Sequence, residues 1–182
     1  MLRTLLRRLT APLRREDGSL VIESVLVLPF LFWGYIGLYT YWDAYRALTT
    51  MQKATYAISD LISREQRTIN AAYINGMRRV MNSMLANGDT TELRVSSVTF
   101  SAVRDQYEVQ WSNSPSGLMQ PLTTSTLQGY LNRVPVMNDG DTAIIVETRV
   151  RYEPNIQYGL DPQTFEQFVV TRPRFVPRIV FQ

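Results

Sequence analysis

Gly18-Ser19-Leu20-Val21-Ile22-Glu23-Ser24-Val25-Leu26-Val27-Leu28-Pro29-Phe30-Leu31-Phe32-Trp33-Gly34-Tyr35-Ile36-Gly37-Leu38-Tyr39-Thr40-Tyr41-Trp42 is the stretch from which the organisation of the whole chain follows. Between Leu20 and Trp42 its only charge is Glu23. A helix of about 23 residues, rising ~1.5 Å per residue, covers the roughly 30 Å hydrocarbon core of a bilayer. The apolar run is longer than the h-region of a cleaved secretory signal, and no small-x-small cleavage site follows it. It therefore reads as a membrane segment. Arg3, Arg7, Arg8, Arg14 and Arg15 precede it. Basic residues beside a span are retained on the cytoplasmic side, so the expected topology is a single span with the N-terminus inside and the C-terminal bulk exported.

Moving outward from this stretch, charge and composition narrow the function classes. Five of the 19 basic residues and two of the 16 acidic ones fall within residues 1–18, which leaves 14 of each from Ser19 onward. A region so balanced has no global attraction for nucleic acid or acidic lipid, and nucleic acid is not an expected partner. The chain has no cysteine and no histidine. Disulfides, thiol chemistry, the commonest zinc ligand and any Ser/His or Cys/His nucleophile are thereby excluded. No catalytic residue, metal site or cofactor is expected, and an exported domain has to be held by packing alone.

Residues 1–18 read as a basic leader in which Leu2, Leu5, Leu6, Leu9 and Leu13 allow a short amphipathic helix interrupted by Pro12. Residues 19–42 form the transmembrane helix, where Pro29, Gly34 and Gly37 favour a kink or the close approach of a neighbouring helix. Trp33, Tyr35, Tyr39, Tyr41, Trp42 and Tyr45 crowd its outer end as an interfacial aromatic belt does.

Residues 43–86 continue as an amphipathic helical region. Leu48, Met51, Ala54, Ile58, Leu61 and Ile62 recur at three- and four-residue steps. After a polar break near 66–70 with Thr68 and Asn70 as cap residues, Ala71, Ala72, Ile74, Met77, Val80, Met81, Met84 and Leu85 restart the pattern. Asn87-Gly88-Asp89 suits a helix stop.

Residues 87–182 read as an antiparallel sheet region. Strand composition is clear over Leu93–Val103 and Gln106–Ser112, joined by an Arg104-Asp105 turn, and again over Ala143–Tyr152. A short helix is expected over Thr123–Arg133. The tail from Phe165 to Phe181 alternates again, but Pro173 and Pro177 restrict it to a sheet edge or two short pieces. Helices followed by strands predict an α+β fold, a long N-terminal helix packed on an antiparallel sheet of about four strands.

The junction of leader and apolar run carries a further pattern. Gly18 ends the leader, and Glu23 sits five residues beyond the Gly18–Ser19 bond. Gly-x-x-x-x-Glu in this setting resembles the processing site of type IV prepilins and pseudopilins. More closely, the chain resembles the TadE-like minor pilins of tight-adherence (Tad, or Flp) pilus systems. The residues that carry the resemblance are Gly18-Ser19-Leu20-Val21-Ile22-Glu23, Leu26-Val27-Leu28-Pro29, Asp60-Leu61-Ile62, Tyr152-Glu153-Pro154 and Thr171-Arg172-Pro173-Arg174-Phe175-Val176-Pro177. The major Flp pilins are far shorter and usually have tyrosine where this chain has Ser24, so the resemblance is to a minor subunit.

It implies a type IV pilin-like fold in the inner membrane and cleavage after Gly18 by a prepilin peptidase. It also implies assembly with major and minor pilins, and with the pilus assembly platform, into an adhesive pilus. In that family the glutamate is thought to meet the first residue's amine on a neighbouring subunit, which here pairs Glu23 with Ser19. A membrane-anchored exported binding or adaptor domain that does not polymerise is the alternative, and an enzyme limited to carboxylates, serines and tyrosines is the remote one.

Other clusters read as structural. Asp139 and Asp141, or Asp161 and Glu166, suit turn caps better than a calcium clamp, since no oxygen-rich loop spacing recurs. Met77, Met81 and Met84 suit core filling. Arg172 and Arg174 could pair with acidic residues on a partner subunit or guard a solvated edge.

Overall fold

The computed structural model describes residues 17–85 and 91–182. The leader helix and the Asn87–Asp89 stop fall outside the described residues, as do the side chains of Asp17, Gly18 and Ser19. The element order is α1 (Asp17–Ser63), α2 (Ala71–Leu85), β1 (Glu92–Ser101), β2 (Gln106–Asn113), a short α3 (Thr124–Leu127) running into a 3-10 turn (Gln128–Arg133), β3 (Thr142–Tyr152) and β4 (Gln163–Thr171). This is an α+β fold with a four-stranded antiparallel sheet in the order β2-β1-β3-β4.

The span and its amphipathic continuation form one helix of 47 residues that passes through Pro29 without interruption. At ~1.5 Å per residue it is about 70 Å long. Its C-terminal half presents Met51, Ala54, Thr55, Ile58, Ser59, Ile62 and Ser63 as a buried stripe at three- and four-residue spacing. Leu61, expected in that stripe, is 48% exposed, because it lies one 100° step off the line through Ile58 and Ile62.

The chain then turns at Arg64–Asn70. The Asn70 carboxamide oxygen accepts the Tyr73 backbone N–H at 2.9 Å and so starts α2. In α2 the expected face narrows: Ile74 and Met81 are buried, with Met77 and Leu85 packed on the core, whereas Ala71, Ala72, Val80 and Met84 are exposed.

Alternation along the strands splits the sheet into two faces. Leu93, Val95, Ile144 and Val146 meet the helices, and Val98, Ala143 and Ile145 meet Leu122, Leu127, Val134 and Met137 from the connection after β2. A bulge adds Gln110 to β2 between the pairs Val98–Val109 and Ser97–Trp111. The extra residue turns Trp111 to the helix face while Val109 stays on the other. The β1–β2 turn holds Asp105 at φ 47°, a left-handed conformation that Asp tolerates better than most residues. α3 opens with a Thr123–Thr126 capping box.

The C-terminal tail contributes more than an edge. After β4 it crosses the α1–α2 turn and forms a parallel bridge with Ile69. The Ile69 N–H donates to the Val180 carbonyl and the Gln182 N–H donates to the Ile69 carbonyl, each at 2.9 Å. The Trp111 indole N–H donates to the Ile179 carbonyl at 2.9 Å, and its ring stacks on Phe181.

Candidate functional site: the exposed apolar helix

From Leu20 to Tyr35 every residue of α1 is exposed, including Phe30, Leu31, Phe32 and Trp33. One helix among the described residues is long and apolar enough to cross a membrane, and it is this one. Only 6% of its most apolar window is buried, whereas the core helix of a soluble protein would be covered.

Glu23 is exposed near the start of this rod, and among the described residues no cation lies within ion-pair distance of it. Ser24 turns its hydroxyl back to donate to the Leu20 carbonyl at 2.7 Å, and Thr40 does the same to Ile36 at 3.0 Å. Both polar side chains are thereby satisfied within the helix, as an apolar surrounding demands. Pro29 has no N–H, so the Val25 carbonyl loses its donor from the next turn.

The two glycines proposed for helix packing differ. A Cβ on Gly34 would meet nothing within 4 Å, so that face is open to a neighbour. Gly37 is already covered by its own chain: a Cβ there would fall 2.6 Å from Cε1 of Tyr158. Tyr158 also packs edge-on against Trp33, with ring centroids 5.4 Å apart. The sequence holds no cue for this contact, because the two residues belong to elements far apart in the chain.

At the outer end Asp43 is the first charge after Glu23, and the Tyr152 hydroxyl donates to its Oδ2 at 3.0 Å. Burial, reinforced by that hydrogen bond and the Asp43 charge, pushes the Tyr152 phenol up to about 12. The Arg46 guanidinium stands 5.5 Å from the Trp42 ring centroid. A cleft of about 530 Å³ opens beside them, lined by Asp43, Arg46, Thr50, Met84, Tyr152 and Phe165 among others.

On the far face of the sheet Arg94 donates from Nε and Nη2 to Glu147, both at 2.6 Å, and from Nη1 to the Gln120 carbonyl at 2.6 Å. Burial alone would lower the Arg94 guanidinium, but the hydrogen bonds to Glu147 and its charge turn the net shift upward.

The other charged clusters serve the fold. Asp139 accepts the Ala102 N–H, and Asp141 accepts the Asn138 N–H. Glu166 pairs with Arg149. Arg172 reaches Asp141 at 3.0 Å and Arg174 reaches Asp60 at 2.7 Å, so both arginines have partners within the chain. Met81 fills the core, Met77 packs on it, and Met84 faces the cleft. Among the described residues no three His, Cys, Asp or Glu side chains converge as a metal site would require.

Compared with known proteins, the chain matches no family model and has no significant similarity to any curated protein or solved structure. What the fold and the exposed helix define is a coarser class, an α+β domain carried on a single N-terminal helix of membrane-spanning length.

Proposed function

We propose that the chain is a minor pilin of the tight-adherence type. It is inserted in the inner membrane with its N-terminus cytoplasmic and its domain outside, is cut after Gly18 by a prepilin peptidase, and is incorporated beside partner pilins through α1. The position of Glu23, exposed on the apolar helix with no cation within ion-pair distance among the described residues, carries the proposal. An ionised carboxylate on an apolar helix costs on the order of 2 to 3 kcal/mol at mid-bilayer and less near the interface. Assembly desolvates it further, and the Ser19 amine of a neighbour, created by the cleavage, offers a matching charge at the same depth. The pairing lowers the free energy of assembly and sets the axial stagger between subunits. Gly34, with open space where a Cβ would stand, supports close approach of a second helix.

The experiment replaces Glu23 by alanine and follows membrane fractionation together with co-purification of the mature subunit and its partner pilins. Insertion should persist while co-purification falls severalfold. Undiminished co-purification would leave Glu23 a bystander in an anchor that does not polymerise.

A further inference from the structure

We propose that the uncharged part of the β3–β4 connection, residues 154–160, is a bilayer-contacting loop that lies at the headgroup–hydrocarbon boundary on the exported side and seats the folded domain on the membrane. The inference rests on α1 being a membrane span. The loop sequence is Pro154-Asn155-Ile156-Gln157-Tyr158-Gly159-Leu160, free of charge between Glu153 and Asp161 and carrying an apolar or aromatic residue at every second position from Ile156.

It is fixed to one face of α1 at successive turns. Tyr158 sits on Trp33 and over Gly37, and the Tyr41 hydroxyl donates to the Gly159 carbonyl at 3.4 Å. Gly159 has φ 65°, the left-handed conformation that brings this carbonyl toward the helix.

Depth follows from helical rise. If hydrocarbon begins at Leu20, Trp33 lies about 20 Å into it, Gly37 about 26 Å and Tyr41 about 32 Å. The far boundary of a roughly 30 Å core then falls within the loop's footprint. A charge on the hydrocarbon side of that boundary would carry a desolvation cost, and this loop has none. Tyrosine and tryptophan are the side chains that prefer this layer, and Ile156 remains 43% exposed.

The absence of native cysteine makes the test clean. Full-length protein with Ile156→Cys, Leu31→Cys or Val103→Cys is labelled with an environment-sensitive nitrobenzoxadiazole fluorophore. Each is reconstituted at high lipid-to-protein ratio into phosphatidylcholine vesicles containing lipids spin-labelled at the headgroup or deep in the acyl chain. Val103, 94% exposed in the β1–β2 turn, lies at the opposite end of the sheet from Tyr152 and is the reference for a site in water.

The proposal predicts that Leu31 is quenched by acyl-chain labels and that Ile156 is quenched by headgroup labels at least twofold more than Val103. Gly37→Val, which displaces Tyr158, should bring the Ile156 signal down toward that of Val103 while leaving Leu31 unchanged. Leu31 quenched with Ile156 no different from Val103 overturns the loop assignment alone, whether the loop is in water or against a second copy. Leu31 unquenched overturns the span, and the loop assignment with it. An Ile156 signal indifferent to Gly37→Val overturns the seat on α1.

Discussion

Replacing Glu147 by leucine leaves the Arg94 guanidinium in a site where its side chain is 10% exposed, with the Gln120 carbonyl and the Tyr130 hydroxyl as neutral partners. Two short charge-assisted hydrogen bonds vanish, and the cation keeps most of its desolvation. Breaking a buried pair in this way costs about 3 to 5 kcal/mol, and the retained bond to Gln120 argues for about 3. For a folded region of this size that is a fall in melting temperature of roughly 10 °C. The double replacement Arg94→Leu with Glu147→Leu removes the stranded charge and should lie within about 1.5 kcal/mol of the native protein, since buried pairs exchanged for apolar side chains of similar bulk are often nearly neutral. Thermal unfolding of the full-length protein in detergent, followed by circular dichroism, compares the three. A single variant that melts within about 3 °C of the native protein would refute the reasoning. So would a double variant that melts as low as the single one.

Two further outcomes follow from the helix–sheet contact. Tyr152→Phe removes the hydrogen bond to Asp43 and should cost about 1 to 2 kcal/mol at neutral pH. Because the folded Tyr152 pKa is raised to about 12, the phenol's contribution is fully present below its ordinary value near 10. It is lost as pH rises through about 12. Stability measured from pH 9 to 12 should therefore fall less steeply in the Phe variant, and parallel curves would contradict the assignment. Met81→Ala should cost roughly 2 to 5 kcal/mol because Met81 is fully enclosed. Met84→Ala should stay within about 0.5 kcal/mol because its side chain stands at the mouth of the cleft. Equal denaturant midpoints for the two would place the core elsewhere.

The elements that depend on local pattern were legible in the residues. Asn70 announced the start of α2, Arg104-Asp105 the hairpin, and Ala143–Tyr152 the central strand, because caps, turns and alternation each depend on a few neighbouring positions. The exposed rod was legible too, as a long apolar run with a single carboxylate.

What escaped depends on distant residues. Trp111 faces the helices only because Gln110 is an extra residue, and a bulge has no mark in a strand whose alternation otherwise continues. Arg172 found Asp141 because the β3–β4 register sets Thr171 opposite Ile144, and Arg174 found Asp60 because the tail passes the end of α1, where the Arg174 backbone N–H donates to the Ser63 carbonyl; the two prolines permit that path but do not specify it. Leu61 was drawn into the stripe by spacing that fits a helix face broadly but not its centre. Tyr158 over Gly37 was invisible for the same reason as the strand order, since nothing near either residue encodes the other. At the candidate site the sequence singled out Gly18, Ser19, Glu23, Pro29, Gly34 and Gly37, of which Glu23, Pro29 and Gly34 lie exposed on α1. It assigned Gly37 to a neighbouring helix, where the fold places the chain's own loop.

The most direct measurement is the N-terminal residue of the protein purified from cells that contain a prepilin peptidase. N-terminal sequencing and intact mass should give a chain beginning at Ser19, and the Gly18→Val variant should keep its leader. Wild-type protein that retains residues 1–18 in such cells would contradict the proposal, because without the new amine at Ser19 no partner for Glu23 is created.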